Sequence, residues 1–235
     1  MMDEIGDTEK KVDTLPLATA MGRPLRLNTN IAVYGDVGSG KTAWTEEILI
    51  AQKERLFVLD TTGHDYGEKK FCELTHIRYD AIITEKKDIA AYVSKEKFRI
   101  VVRCHGWEME CLNIFQFDPV EQSCAVPNCT VVVEEIHRFM NGQTMETELE
   151  NIVTLGRHSK INFVGVSQVP RGQTNPLYRA EMQMFVSFRQ TEENARKFFA
   201  DFDSEKAAGL KELERGRYEL FRGTNEDLIN FINTK

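Results

Sequence analysis

The 235-residue sequence has no apolar run near the roughly 18 residues needed to span a bilayer, so no integral membrane segment is expected. Residues 1–14 are acidic and polar, unlike a secretory leader. Five cysteines (Cys72, Cys104, Cys111, Cys124 and Cys129) form no C-x-x-C pair. That removes the usual zinc and redox spacings and predicts reduced thiols in a soluble intracellular protein. Cys124 and Cys129 flank Pro127 without obvious further metal ligands. Positive charge is not in excess: 30 Lys and Arg against 37 Asp and Glu leave a net charge of −7. This argues against a protein that coats nucleic acid over its whole surface. There is no internal repeat and no low-complexity tract.

One stretch departs from the acidic average. Residues 157–199 carry seven basic side chains (157, 160, 171, 179, 189, 196, 197) against three glutamates (181, 192, 193). A local basic region can touch phosphates while the outer surface stays acidic; a mixed solvated surface is the plain alternative.

The densest signal is Gly35-Asp36-Val37-Gly38-Ser39-Gly40-Lys41-Thr42, which fits G-x-x-x-x-G-K-[ST] at every position. An apolar strand, Ile31–Tyr34, precedes it, and a helical segment, Ala43 to Gln52, follows with Trp44, Ile48 and Ala51 on one face. Strand, glycine loop and helix together form a Walker A site for a nucleoside triphosphate. Glycines let the loop curl so that backbone N–H groups face the phosphates. The helix start adds unpaired amides and the positive end of its dipole. Residues 35–43 are therefore expected to cradle ATP. Lys41 supplies charge to the β- and γ-phosphates, and the Thr42 hydroxyl is a ligand for Mg2+.

Further strands are expected at Leu56–Asp60, Ile77–Tyr79, Phe98–Val102, Thr130–Val133, Ile161–Val166 and Met184–Phe188, with an outer strand in Arg217–Arg222. Helical spacing marks Ile89–Val93, Thr144–Leu155 and a segment capped by Thr191, in which Ala195, Phe198, Phe199 and Phe202 form the buried stripe. Alternating strands and helices imply an α/β fold: a mostly parallel sheet with helices on both faces and ligands at the carboxyl ends of the strands. Residues 1–28 read as an acidic N-terminal arm and 29–235 as a single domain.

The strand Val131–Val133 ends in Glu134-Glu135, a Walker B arrangement with Glu134 where Asp is usual. Glu134 is assigned to Mg2+, through water, and Glu135 to activation of the attacking water. Gln168 ends the next strand, where its amide can both donate and accept, so it is a candidate sensor of the γ-phosphate. Arg157 follows the helix that leaves the Walker B strand. Such an arginine can reach a neighbour's site and neutralise charge in phosphoryl transfer. Arg157, Arg171 and Arg179 are all candidates for that finger.

Four stretches together resemble the FtsK/HerA superfamily of P-loop ATPases, which pump nucleic acid. They are Ile31–Thr42, Val58 to Tyr66, Val131–Glu135, and Gly156 to Pro170. Gln168 is followed by Val169-Pro170-Arg171 rather than directly by Arg-Pro, a modest departure. The resemblance implies a RecA-like P-loop NTPase fold and Mg2+-dependent ATP hydrolysis coupled to movement along DNA. A short arm followed directly by the motor is similar to the genome-packaging ATPases of membrane-containing double-stranded DNA viruses and phages. That implies double-stranded DNA and a viral capsid vertex or portal as partners, a homo-oligomeric ring, and a location in the host cytoplasm and virion. Cellular or plasmid-borne HerA or conjugation-type translocases and non-DNA morphogenesis ATPases are the alternatives. Residues 104–128 and 171–179 are candidate DNA-gripping loops.

Overall fold

Strand β1 (Asn30–Tyr34) is buried along its whole length, as expected of a β-branched and aromatic run covered on both faces. It is joined by β2 (Arg55–Leu59), β3 (Ala81–Ile83), β4 (Phe98–Val102), β5 (Thr130–Val133), β6 (Asn162–Ser167), β7 (Met184–Ser187) and β8 (Glu219–Arg222). The computed structural model describes residues 29–50, 55–63, 66–67, 77–168, 170 and 175–223. The expected N-terminal arm lies outside the described residues, as do Ala51, Gln52, Cys72, Val169 and Arg171.

The eight strands form one sheet in the order β3-β4-β2-β5-β6-β1-β7-β8. Every pairing is parallel except that of β7 with the edge strand β8. Alternate residues point to opposite faces and feed two cores. On one face, Ile31, Val33, Leu56, Val58, Val132 and Val164 pack with Trp44, Ile48 and Leu49 of helix α1 (Lys41–Ile50). On the other, Phe57, Leu59, Val131, Val133, Phe163 and Phe185 pack beneath the helices Lys86–Val93, Glu108–Asn113, Thr147–Leu155, Pro176–Glu181 and Glu193–Ala200. At roughly 1.5–3 kcal/mol for each fully buried large apolar side chain, these two layers dominate the favourable side of folding. The expected mostly parallel sheet with helices on both faces is the observed one.

Gly165, in central strand β6, admits a close approach. A Cβ there would meet Tyr178 Oη at 2.2 Å and the Phe163 ring at 3.0 Å. The missing side chain lets Tyr178, wholly buried, lie against the sheet.

Three sequence expectations need correction. Ile77–Tyr79 is not a strand: Asp80 N donates to Arg99 O and Asp80 Oδ2 accepts from Arg99 N, so the chain comes into register with β4 only from Ala81. The helix expected from Thr144 begins at Thr147. Asn141 Oδ1 accepts from the N–H groups of Gln143 and Thr144 and closes a turn first. Thr191 is not an N-cap; Glu192 holds that position without a side-chain bond. The Thr191 N–H donates instead to Asp36 Oδ2 at 3.0 Å.

β1 has β6 on one side and β7 on the other. The chain crosses between those neighbours, so a crevice opens beyond the carboxyl end of β1, where ligands of such sheets bind.

Candidate active site

The loop Gly35–Lys41 leaves β1 into that crevice. Gly38 (φ 73°) and Gly40 (φ 109°) adopt backbone conformations that side chains disfavour. A Cβ on Gly40 would press on the Gly216 backbone at 3.1 Å. Gly216 N donates to Ser39 O at 2.8 Å, so the turn before β8 braces the loop. From the β7 side, Asp36 N donates to Arg189 O at 2.9 Å and the Arg189 guanidinium lies 3.9 Å from Asp36 Oδ2. No pattern in the sequence signals these braces, because they join segments that are far apart along the chain.

Lys41 is buried and donates to the carbonyls of Gly35 (2.7 Å) and Asp36 (3.1 Å). Ser39 Oγ is buried with no hydrogen-bond partner among the described residues. A tight glycine loop, an ammonium and an orphaned hydroxyl at a helix N-terminus fit a phosphate chain. Thr42, half-buried in the first turn of α1, and the buried carboxylate of Glu134 would supply a hydroxyl and an acid as a donor set. That set suits Mg2+, which keeps several waters and takes few protein ligands.

Glu134 is the first residue past β5, and its N–H still donates to Leu59 O of β2. Its side chain is only about 2% exposed as a residue, and Oε2 accepts from Tyr66 Oη at 3.0 Å. Glu135 then turns sharply, with φ 50° and ψ 49°. A non-glycine residue in this left-handed region costs on the order of 1–3 kcal/mol and persists where the surroundings enforce it. Here Arg138 N donates to Glu135 O at 2.9 Å, and Gln168 Nε2 donates to Glu135 Oε1 at 2.5 Å. Oε2 lies 3.0 Å from His137 Nδ1, close enough for attraction but without hydrogen-bond alignment. The same Nδ1 lies 2.9 Å from Ser167 Oγ. Burial alone would raise the pKa of Glu135. Contact with His137, the Gln168 bond and the charge of Lys41 outweigh it, and the carboxyl sits below its ordinary value.

The fold thus gathers Lys41, Glu134, Glu135 and Gln168 at the carboxyl edge of the sheet. It does not bring Arg157 there. The turn Gly156–Ser159 precedes β6, and Ser159 O accepts from Asn128 N just ahead of β5, at the opposite edge. Arg157 is exposed, and its side chain has no hydrogen-bond or ion-pair partner among the described residues. Arg179 is occupied internally: it pairs with Asp201 at 3.2 Å and lies over the rings of Phe198 and Phe202 at 5.0 and 4.6 Å.

Among the described residues the basic stretch is not one patch. Arg179 is held as above, Arg196 donates to Gln190 O, and Lys197 pairs with Glu193. Within 104–128 the exposed turn at 118–122 carries Asp118 and Glu121 and no basic residue. No motif in the sequence marks His137, although it stands two residues past the acid pair. Tyr66 closes the stretch Val58 to Tyr66, and no role follows for it from its place in the sequence. Among the described residues, no three His, Cys, Asp or Glu converge as a metal site, and no helix is long and apolar enough to cross a membrane.

No protein-family model matches the sequence, and no curated protein matches it. Solved structures do. The genome-packaging NTPase B204 from Sulfolobus turreted icosahedral virus 2, in complex with sulfate, superposes with a TM-score of 0.62 at 16% identity, over 83% of this chain and 92% of that one. Its complex with ATPγS gives 0.60 at 15% identity, over 85% and 94%. B204, the DNA-packaging ATPase from Sulfolobus turreted icosahedral virus, gives 0.57 at 15% identity, over 86% and 100%. Identities this low speak to architecture, and what they establish is that the chain has a P-loop NTPase fold.

Proposed function

We propose that this chain is an ATP-driven double-stranded DNA translocase that packages a viral genome into a preformed capsid, working as a homo-oligomeric ring. The observation that carries the reading is the junction of Lys41, Glu134, Glu135 and Gln168 at the end of a sheet whose architecture is that of packaging NTPases. The residues divide the work. The loop 35–43 and Lys41 bind and orient the triphosphate. Thr42 and Glu134 would hold Mg2+, which when bound neutralises charge on the phosphate oxygens. Glu135, kept ionised, takes a proton from the attacking water. Gln168 touches Glu135 directly, so a change at the γ-phosphate that moves Gln168 also moves the base. Arg157, facing outward at the far edge, is available to a second copy as the finger.

The test is ATP hydrolysis by the purified protein with and without double-stranded DNA, beside its mass in solution. DNA-stimulated turnover by a ring-sized species supports the reading. Turnover indifferent to DNA in an assembled ring sinks translocation and favours a morphogenesis ATPase. Glu135→Gln should bind ATP normally and lose about 10²–10⁴-fold in turnover; undiminished turnover would refute its assignment as base.

A further inference from the structure

Tyr66 is wholly buried, and its ring packs in the core that includes Val58, Val101 and Val132. Its hydroxyl is directed to a carboxylate, donating to Glu134 Oε2 at 3.0 Å. The ring cannot easily move, because its backbone is held from two strands. Tyr66 N donates to Asp60 Oδ2 at 3.3 Å, just past β2. Arg103, just past β4, donates from Nη2 to Tyr66 O at 2.7 Å, and its Nε stands 3.5 Å from Asp60 Oδ2. Asp60 Oδ1 in turn accepts from Thr62 N (3.2 Å), Thr62 Oγ1 (2.8 Å) and Gly63 N (2.9 Å). The next residue, Gly67 (φ 73°), takes a conformation that side chains disfavour, and a Cβ there would meet Ile82 at 3.0 Å. The phenol is therefore a fixed donor.

A phenol is protonated at neutral pH, so the hydroxyl is a donor to the carboxylate. Glutamate has one more rotatable bond than aspartate. A carboxylate meant to meet a metal through water needs that freedom removed.

We propose that Tyr66 is a positioning residue for the metal: by clamping Glu134, it lets a glutamate serve where a Walker B strand ordinarily ends in aspartate. This rests on the ATPase reading above. The shorter side chain of Glu134→Asp falls short of the hydroxyl, so the clamp and the longer acid work only as a pair.

The experiment titrates Mg2+ into the full chain with a non-hydrolysable ATP analogue, by calorimetry, for the wild type, Tyr66→Phe, Glu134→Asp and the double variant. Tyr66→Phe should raise the half-saturating Mg2+ about tenfold or more, as loss of a hydrogen bond to a charged group does. Analogue binding in EDTA should not change. In the Glu134→Asp background the same substitution should add nothing. An equal shift in both backgrounds, no shift, or an equal loss in EDTA overturns the proposal. Should Tyr66→Phe not fold, Glu134→Asp alone decides. It must raise the Mg2+ requirement although it installs the commoner acid, and an unchanged or lower requirement overturns the clamp. A wild type that binds no nucleotide would overturn the ATPase reading itself. Normal wild-type binding with unaffected variants would overturn only the role of Tyr66.

Discussion

The charged residues that end the central strands and those of the turn ahead of β6 are held in opposite ways. At the carboxyl edge, Lys41, Asp60, Glu134 and Glu135 are all buried, and each is tied to a partner on another segment or within its own loop. At the amino edge, Arg157 and Lys160 are exposed, without side-chain partners among the described residues, and the turn at 118–122 stands out into solvent. Chemistry inside one molecule needs charges whose geometry is set beforehand. Charges left in water cost little and remain available to another molecule. On the proposal above, the same strands thus carry a preorganised site at one end and a contact for a neighbouring copy at the other.

That contrast is broken most severely at Arg157. If it completes a neighbour's site, Arg157→Ala should lower turnover by about 10³-fold or more. Mixing it with a Lys41→Ala subunit should restore part of the rate. A steady-state assay across mixing ratios checks this, and absence of rescue would assign Arg157 to its own chain or to no catalytic role. Next is Gly165→Ala, which forces Tyr178 off the sheet. Overpacking of this kind costs roughly 1–3 kcal/mol, read as a lower denaturant midpoint at unchanged slope.

Arg179→Ala is a milder test and separates the two arginines. It removes stacking on Phe198 and Phe202 worth about 0.5–1 kcal/mol. It should lower the melting temperature slightly and show no rescue on mixing. Rescue would make Arg179 the finger and the amino-edge assignment wrong. The smallest effect concerns pH. Glu135 has a folded pKa below its unfolded one, so its ionised form and the stability it brings are present above the unfolded value and lost as pH falls through the folded one. Between pH 6 and 8 its titration should leave no trace in the rate, and an acid limb should lie below the ordinary glutamate range. Gln168→Ala should move that limb upward, because it removes a bond to the charged form; a rate–pH profile of both proteins shows whether it does.

Much of the architecture was legible because its signals are local. The β-branched run Thr130–Val133, the alternation of strand and helix, and the glycine loop are determined by sterics and burial over a few residues. The misplaced ends have equally local readings, overridden by distant partners. The Thr191 N–H was taken by Asp36, and Asp80 turned the chain toward Arg99. The acid pair and Gln168 could be named from their places at strand ends, but not the bond between them, since β5 and β6 become neighbours only in the sheet.

By itself, then, the sequence determined most of the strands, the phosphate loop and which side chains end the central strands, because those depend on spacing along the chain. Only the tertiary structure decided that Tyr66 grips Glu134, that Asp36 is braced from β7, that Arg179 is occupied, and that Arg157 faces away from its own site. Those outcomes rest on strand order, and strand order is set by how two apolar faces are best covered at once, a property of the whole chain rather than of any stretch of it.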